Sequence, residues 1–146
     1  ELSERIAAMG SVGGAYVLPW TDYQPKRPVP AILFHGTADR IVPYHGKSWG
    51  TSGFALPDIP QWVQTLATRN GCETNAVSMP VRGSVSGVHY PGGTNHADVV
   101  FYTVASGGHT WPGGKPMAAF IVGKTTADVD ATRLMWEFFQ AHPLRK

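Results

Sequence analysis

The sequence predicts an α/β fold in which a mostly parallel sheet carries helices against it and extends into antiparallel strands. Three observations predict it. Short apolar runs bounded by Gly and Pro recur at 5–12, 30–36 and 97–105; two amphipathic stretches of helical period lie at 58–70 and 126–142; and 75–93 alternates loosely around a Gly-Ser turn signal. Fully buried parallel strands read as continuous apolar runs, whereas half-exposed antiparallel ones alternate.

The elements follow in order. "RIAAMGSV" (5–12) and "PAILFHG" (30–36) are expected as buried strands. "DIPQWVQTLATRN" (58–70) sets Ile59, Trp62, Val63 and Leu66 on one face, opens with the Asp58 cap and Pro60, and stops at Gly71, so it reads as a crossover helix. "NAVSMPVRGSVSGVHYPGG" (75–93), turning at Gly83 and Ser84, supplies the antiparallel extension. "ADVVFYTVA" (97–105) is a third buried strand, rich in β-branched and aromatic residues. Finally "TADVDATRLMWEFFQAH" (126–142), capped by Thr126 or Asp128, aligns Ala131, Met135, Phe138 and Phe139 for packing on the sheet. Trp49, Trp62 and Trp136 are expected in the core. No internal repeat or linker divides the chain, which reads as one unit of βαβ type.

Composition bounds the function. The 146 residues suffice for one domain with a real core, and 42% hydrophobic against 15% charged residues, with 17 Gly and 12 Pro, describe a loop-rich globular protein. The net charge is only +2, and Lys26, Arg27, Lys115, Lys124 and Arg145–Lys146 are scattered. Nucleic-acid binding therefore has no electrostatic footprint. No apolar stretch approaches the roughly 20 residues that span a bilayer, and no charged-then-apolar leader opens the chain, so a soluble molecule without a membrane partner is expected. Residue 1 is Glu, which suggests a processed product, a trimmed chain or a fragment. Cys72 is the single cysteine and reads as a small buried or half-buried thiol, since no reactive-loop signature surrounds it.

The chemistry lies beyond the strand ends, where open α/β sheets gather functional groups. Asp39 follows Gly36 by three residues, and His109, in "SGGHTWPGG", follows Ala105 by four. Both are expected at the same rim. A serine hydrolase needs a carboxylate to orient a histidine and a glycine-flanked loop to carry the ring, so the two read as triad acid and base. The plain alternatives are a turn cap for Asp39 and a solvated loop histidine for His109. His35 reads as a packed strand-end residue and His45 and His142 as surface groups, while His89 and His96 lack metal-ligand spacing; no metal or cofactor is expected.

"HGTADRIVPYHG", "WVQTLATRNGC", "SGGHTWPGG" and "DATRLMWEFFQAHP", in that order, resemble the C-terminal half of the secreted polyhydroxybutyrate depolymerase and feruloyl esterase group of α/β-hydrolases. The resemblance covers the whole chain. It implies that residues 1–146 are the C-terminal portion of one α/β-hydrolase domain, with the N-terminal half absent. It further implies Asp39 as acid, His109 as base, Trp111 and Pro112 as walls of the acyl or alcohol side, polyester or feruloyl/acyl ester substrates, and a secreted or periplasmic location. In such enzymes a Gly-x-Ser-x-Gly elbow stands before a helix ending like "ELSERIAA", so the nucleophile and oxyanion loop are expected upstream of residue 1. The substitute "MGSVGG" places Met9 where the elbow wants its first Gly, and nothing helical follows it; Ser11 reads as a loop residue near the rim. Two readings follow: a serine esterase whose acid and base lie here, or a non-catalytic half that needs another polypeptide. In either, the 5–12 strand would be a bare apolar edge, expected to pair with another copy or chain.

Overall fold

The computed structural model describes residues 2–15, 25–48 and 55–144. Among the described residues seven strands form: β1 (Met9–Val12), β2 (Ala31–Gly36), β3 (His45–Ser48), β4 (Ala55–Asp58), β5 (Val77–Arg82), β6 (Val85–Tyr90) and β7 (Val99–Val104). Helices α1 (Ile59–Arg69), α2 (Ala119–Val122) and α3 (Ala131–Ala141) complete the order, with a 3₁₀ turn at Thr94–His96. The main sheet runs β1-β2-β7-β6-β5, and β3-β4 make a separate small hairpin. β1, β2 and β7 are parallel, while β6 and β5 join antiparallel through the turn at Gly83 and Ser84. This is a mixed α/β fold with the expected extension.

The central strands explain the layering. All six residues of β2 are buried, and alternate ones point to opposite faces. Ala31 and Leu33 join Val99 and Phe101 under Ile59, Trp62, Val63 and Leu66 of α1; Ile32 and Phe34 join Val100 and Tyr102 over Ala131, Met135 and Phe138 of α3. Each helix thus covers one face. Asp58 caps α1 by accepting from the Gln61 amide, Pro60 stands in its first turn, and Gly71 leaves it at a φ of +75°. Cys72 is buried, and burial raises its thiol pKa.

Four expectations change. The 5–12 run is a strand only over β1, and the chain before it makes a turn closed by Arg5 N–H to Leu2 O. Ser11 lies within β1, opposite Leu33, and not in a loop. α3 starts later than expected, because its cap is Asp130, which accepts from the Arg133 amide. Asp128 is occupied elsewhere: it accepts from the Ser84 amide and hydroxyl and from Thr126, bolting the β5–β6 turn to the segment before α3, and these bonds hold its pKa below the usual carboxylate value. Trp136 is 62% exposed, one position off the stripe that Met135 occupies, whereas Trp62 is buried as expected. Trp49 lies outside the described residues.

Candidate active site

Asp39 and His109 come together because the loops after β2 and β7 are stitched to each other. Thr37 N–H reaches Val104 O, Ala38 N–H reaches Gly107 O, and the Ser106 amide donates to the Thr37 hydroxyl. Gly36 makes the approach possible: a Cβ there would stand 2.2 Å from Gly107 O. Gly108 is equally confined, since its Cβ would meet Val122 O at 2.1 Å, and the His109 amide donates to that same carbonyl. The histidine loop is therefore fixed on two sides.

The result is a hydrogen bond of 2.9 Å from His109 Nδ1 to Asp39 Oδ2. Asp39's side chain is fully buried and His109's is 34% exposed. Oδ1 of Asp39 accepts from the amides of Ile41 and Val42, leaving Oδ2 for the imidazole. With Nδ1 donating, the neutral ring carries its lone pair on Nε2. No group among the described residues hydrogen-bonds to Nε2. From below, the end of β1 closes on the ring, where a Cβ on Gly13 would lie 2.9 Å from Nδ1. This arrangement can orient an imidazole and let its outer nitrogen take a proton.

His35 lies beside the pair, a placement that the sequence reading as a packed strand-end residue did not extend to the site. Its Nε2 donates to Val42 O at 2.9 Å and stands 3.6 Å from Asp39 Oδ2, too far for a hydrogen bond. Burial pushes its pKa below the ordinary value of 6.5, outweighing the Val42 carbonyl and the Asp39 charge. We therefore treat it as neutral and not as an ion-pair partner.

Trp111 and Pro112 do different work from each other. The Trp111 indole, 46% exposed, donates to the Thr132 hydroxyl in the first turn of α3. Pro112 is buried, accepts from the Ala131 amide and lines an interior void of about 10 Å³ with Val12, Phe34 and Gly36. A cavity of about 770 Å³ opens at the other end of the strands among Arg27, Pro30, His96, Asp98 and His142, and neither Asp39 nor His109 lines it. The site is recognised by the hydrogen-bond geometry, not by cavity size. Among the described residues no group of three His, Cys, Asp or Glu is placed to hold a metal ion, and no helix is long and apolar enough to cross a membrane.

The sequence reading also passed over two further histidine pairs. His45 reaches Asp58 and His89 reaches Asp98, each at 3.0 Å. His142 stacks on Phe138 at 4.0 Å.

No protein-family model matches the chain. A protein of Nocardia uniformis subsp. tsuyamanensis named "Putative esterase NocK" is 29% identical over 141 residues, an alignment that covers 86% of this chain and 41% of that protein. The chain thus spans about two fifths of the length of the relative it matches. This distant similarity relates the chain to an esterase-like protein, and the mixed α/β architecture is compatible with it.

Proposed function

We propose that this chain carries the acid and the base of a serine esterase. Asp39 holds the His109 tautomer; a serine presented to Nε2 gives up its proton as its oxygen attacks the ester carbonyl; His109 then passes that proton to the leaving alcohol, and water releases the acyl group by the same route. The observation that carries this reading is the 2.9 Å bond from Nδ1 of a part-exposed histidine to a fully buried carboxylate. The proposed substrates are polyesters of the poly-3-hydroxybutyrate kind or feruloyl and other acyl esters, met in a secreted or periplasmic setting and without a cofactor. Half-exposed Trp111 is the residue proposed to touch substrate, with Pro112 supporting its loop from beneath.

A second reading concerns completeness. β1 pairs with β2 on one side, and no strand among the described residues pairs with its other side. The opposite edge strand, β5, carries Pro80, Arg82 and a register irregularity, devices that discourage further pairing; β1 has no charge or proline. We propose that a preceding segment, a second chain or another copy covers β1 and brings the serine, and that the chain alone is nearly inert.

The test is a fluorophosphonate probe and a nitrophenyl butyrate assay on this chain, alone and joined to whatever polypeptide its gene encodes ahead of residue 1. Labelling and turnover confined to the joined form, and lost in His109→Ala, are expected. Labelling of Ser11 in the chain alone would overturn the second reading; a joined form that neither labels nor turns over would overturn the first.

A further inference from the structure

We propose that His35 is a positioning residue for the Asp39–His109 pair, an imidazole that acts through the backbone of Val42 to decide which carboxylate oxygen faces His109. The proposal rests on reading Asp39 and His109 as acid and base.

The contacts form an unbroken chain. His35 Nε2–H donates to Val42 O at 2.9 Å; the Val42 amide donates to Asp39 Oδ1 at 2.8 Å; and Oδ2 of the same carboxylate accepts from His109 Nδ1 at 2.9 Å. The His35 side chain is only 2% exposed and Asp39's is fully enclosed, so neither has water as a substitute partner. The Ile41 amide gives Oδ1 a second donor at 2.9 Å. A carboxylate with two donors on one oxygen and one on the other has its torsion fixed, and here one of the two donors on Oδ1 sits on the residue that His35 holds. The ring of His35 is itself steadied: Tyr44 meets it edge-on at 6.0 Å, and the Tyr44 hydroxyl bonds to Thr103 Oγ1 on β7 at 2.9 Å. One imidazole thus ties β2, the acid turn and, through Tyr44, β7.

Charge is the second half of the argument. Asp39 Oδ2 lies between two imidazoles, 2.9 Å from one and 3.6 Å from the other. A protonated His35 would be a rival for that oxygen. A neutral one, with its Nε2–H committed to Val42 O, leaves the carboxylate's charge to His109. A histidine that merely filled the core could donate to any carbonyl; this one donates to the carbonyl of the residue whose N–H closes the acid turn.

Imidazole nitrogen NMR of the full chain tests this, read as solvent exchange of the His109 Nδ1 proton. His35→Phe keeps the ring's shape and removes the donor, and should speed that exchange about five- to tenfold, the scale of one buried hydrogen bond acting on local opening. His35→Gln, whose amide reaches the Nε2 position, should stay within about twofold of wild type by the same measure. In an Asp39→Asn background His35→Phe should add nothing. Unchanged exchange in a folded His35→Phe chain, or equal acceleration by Phe and Gln, overturns the proposal. If the Phe variant does not fold, His35→Asn replaces it: its amide reaches Nδ1 and not Nε2, so it should exchange faster than the Gln variant, and equality of the two overturns the proposal. Failure of the esterase reading would appear instead as absent ester turnover in the joined form and would leave this exchange measurement intact.

Discussion

Two aspartate–histidine pairs lie at opposite ends of the β2–β7 ladder, and only one has the makings of an acid–base site. His109–Asp39 sits past the C-terminal ends of the strands, and His89–Asp98 sits where β7 begins. Their distances are 3.0 Å or less, and their histidines are exposed alike, at 34% and 35%. The carboxylates differ: Asp39 is fully enclosed, with two amides on its other oxygen, while Asp98 is 23% exposed and receives one long bond from the Gly93 amide at 3.3 Å. The engaged nitrogens differ too. His109 bonds through Nδ1 and presents its outer Nε2, whereas His89 commits Nε2 to Asp98. Proximity alone does not make a site; enclosure of the acid and the choice of ring nitrogen do.

The strongest way to break this comparison is to remove both charges separately. In the joined form proposed above, Asp39→Asn should lower kcat about 10⁴-fold, the loss that follows when an orienting carboxylate no longer holds the base tautomer. Asp98→Asn should leave kcat within about twofold, as a group remote from the reacting atoms does. Comparable losses in a nitrophenyl ester assay would show that the two pairs are not distinct in kind.

Next in size is the backbone that brings each pair together. A Cβ on Gly36 would strike Gly107 O at 2.2 Å, across two loops that other bonds lock in place; a Cβ on Gly93 would strike Ala97 O at 2.4 Å, within its own short turn. Gly36→Ala should cost roughly 3 kcal/mol and Gly93→Ala about 1 kcal/mol, since a local turn can relax where a stitched loop pair cannot. Urea unfolding of the two variants decides it, and equal costs would remove the distinction.

A smaller effect is pH-dependent. Burial lowers the folded pKa of His35 from its ordinary 6.5, so the unfolded chain binds more protons than the folded one between those values. Stability from the neutral ring is therefore complete above about 6.5 and is lost as pH falls toward the depressed folded value. His35→Gln, with Asp39 and His109 still facing the position, should flatten the fall in unfolding free energy between pH 7.5 and 5. An unchanged slope would show that His35 titrates normally.

How much of this was legible follows the same physics. β2, β7 and α1 could be read because complete burial writes continuous apolar runs, and because Asp58, Pro60 and Gly71 punctuate the helix. β3 and β4 could not, since "HGKS" and "ALPD" are short, contain no fully buried residue and carry Gly46 and Pro57. The start of α3 was read as capped by Thr126 or Asp128, and only the contact of Asp128 with Ser84, 44 residues away, shows why the cap falls instead on Asp130. Trp136 was misplaced because helical spacing alone does not say how wide the buried stripe is. Asp39 and His109 were visible as strand-end residues. The role of the Val42 backbone was not, because it depends on how the acid turn closes.

The smallest expected effect is also the most direct check on what sets the pairs apart. Both members of the His89–Asp98 pair are partly exposed, so water and salt screen them, and exposed pairs of this kind contribute about 0.2–1 kcal/mol. A double-mutant cycle of His89→Gln and Asp98→Asn should give a coupling near 0.5 kcal/mol at low salt, falling as ionic strength approaches 1 M and the screening length shrinks to about 3 Å. His89 faces Val100 across the β6–β7 ladder, and the backbone bonds of that ladder hold its register whether or not the His89–Asp98 bond forms. The variants should therefore unfold as cooperatively as the wild type. A salt-insensitive coupling above about 2 kcal/mol would mean that Asp98 is as effectively desolvated as Asp39. The difference between the two ends would then rest on the ring nitrogen alone: Nδ1 bound and Nε2 offered at one end, Nε2 consumed at the other.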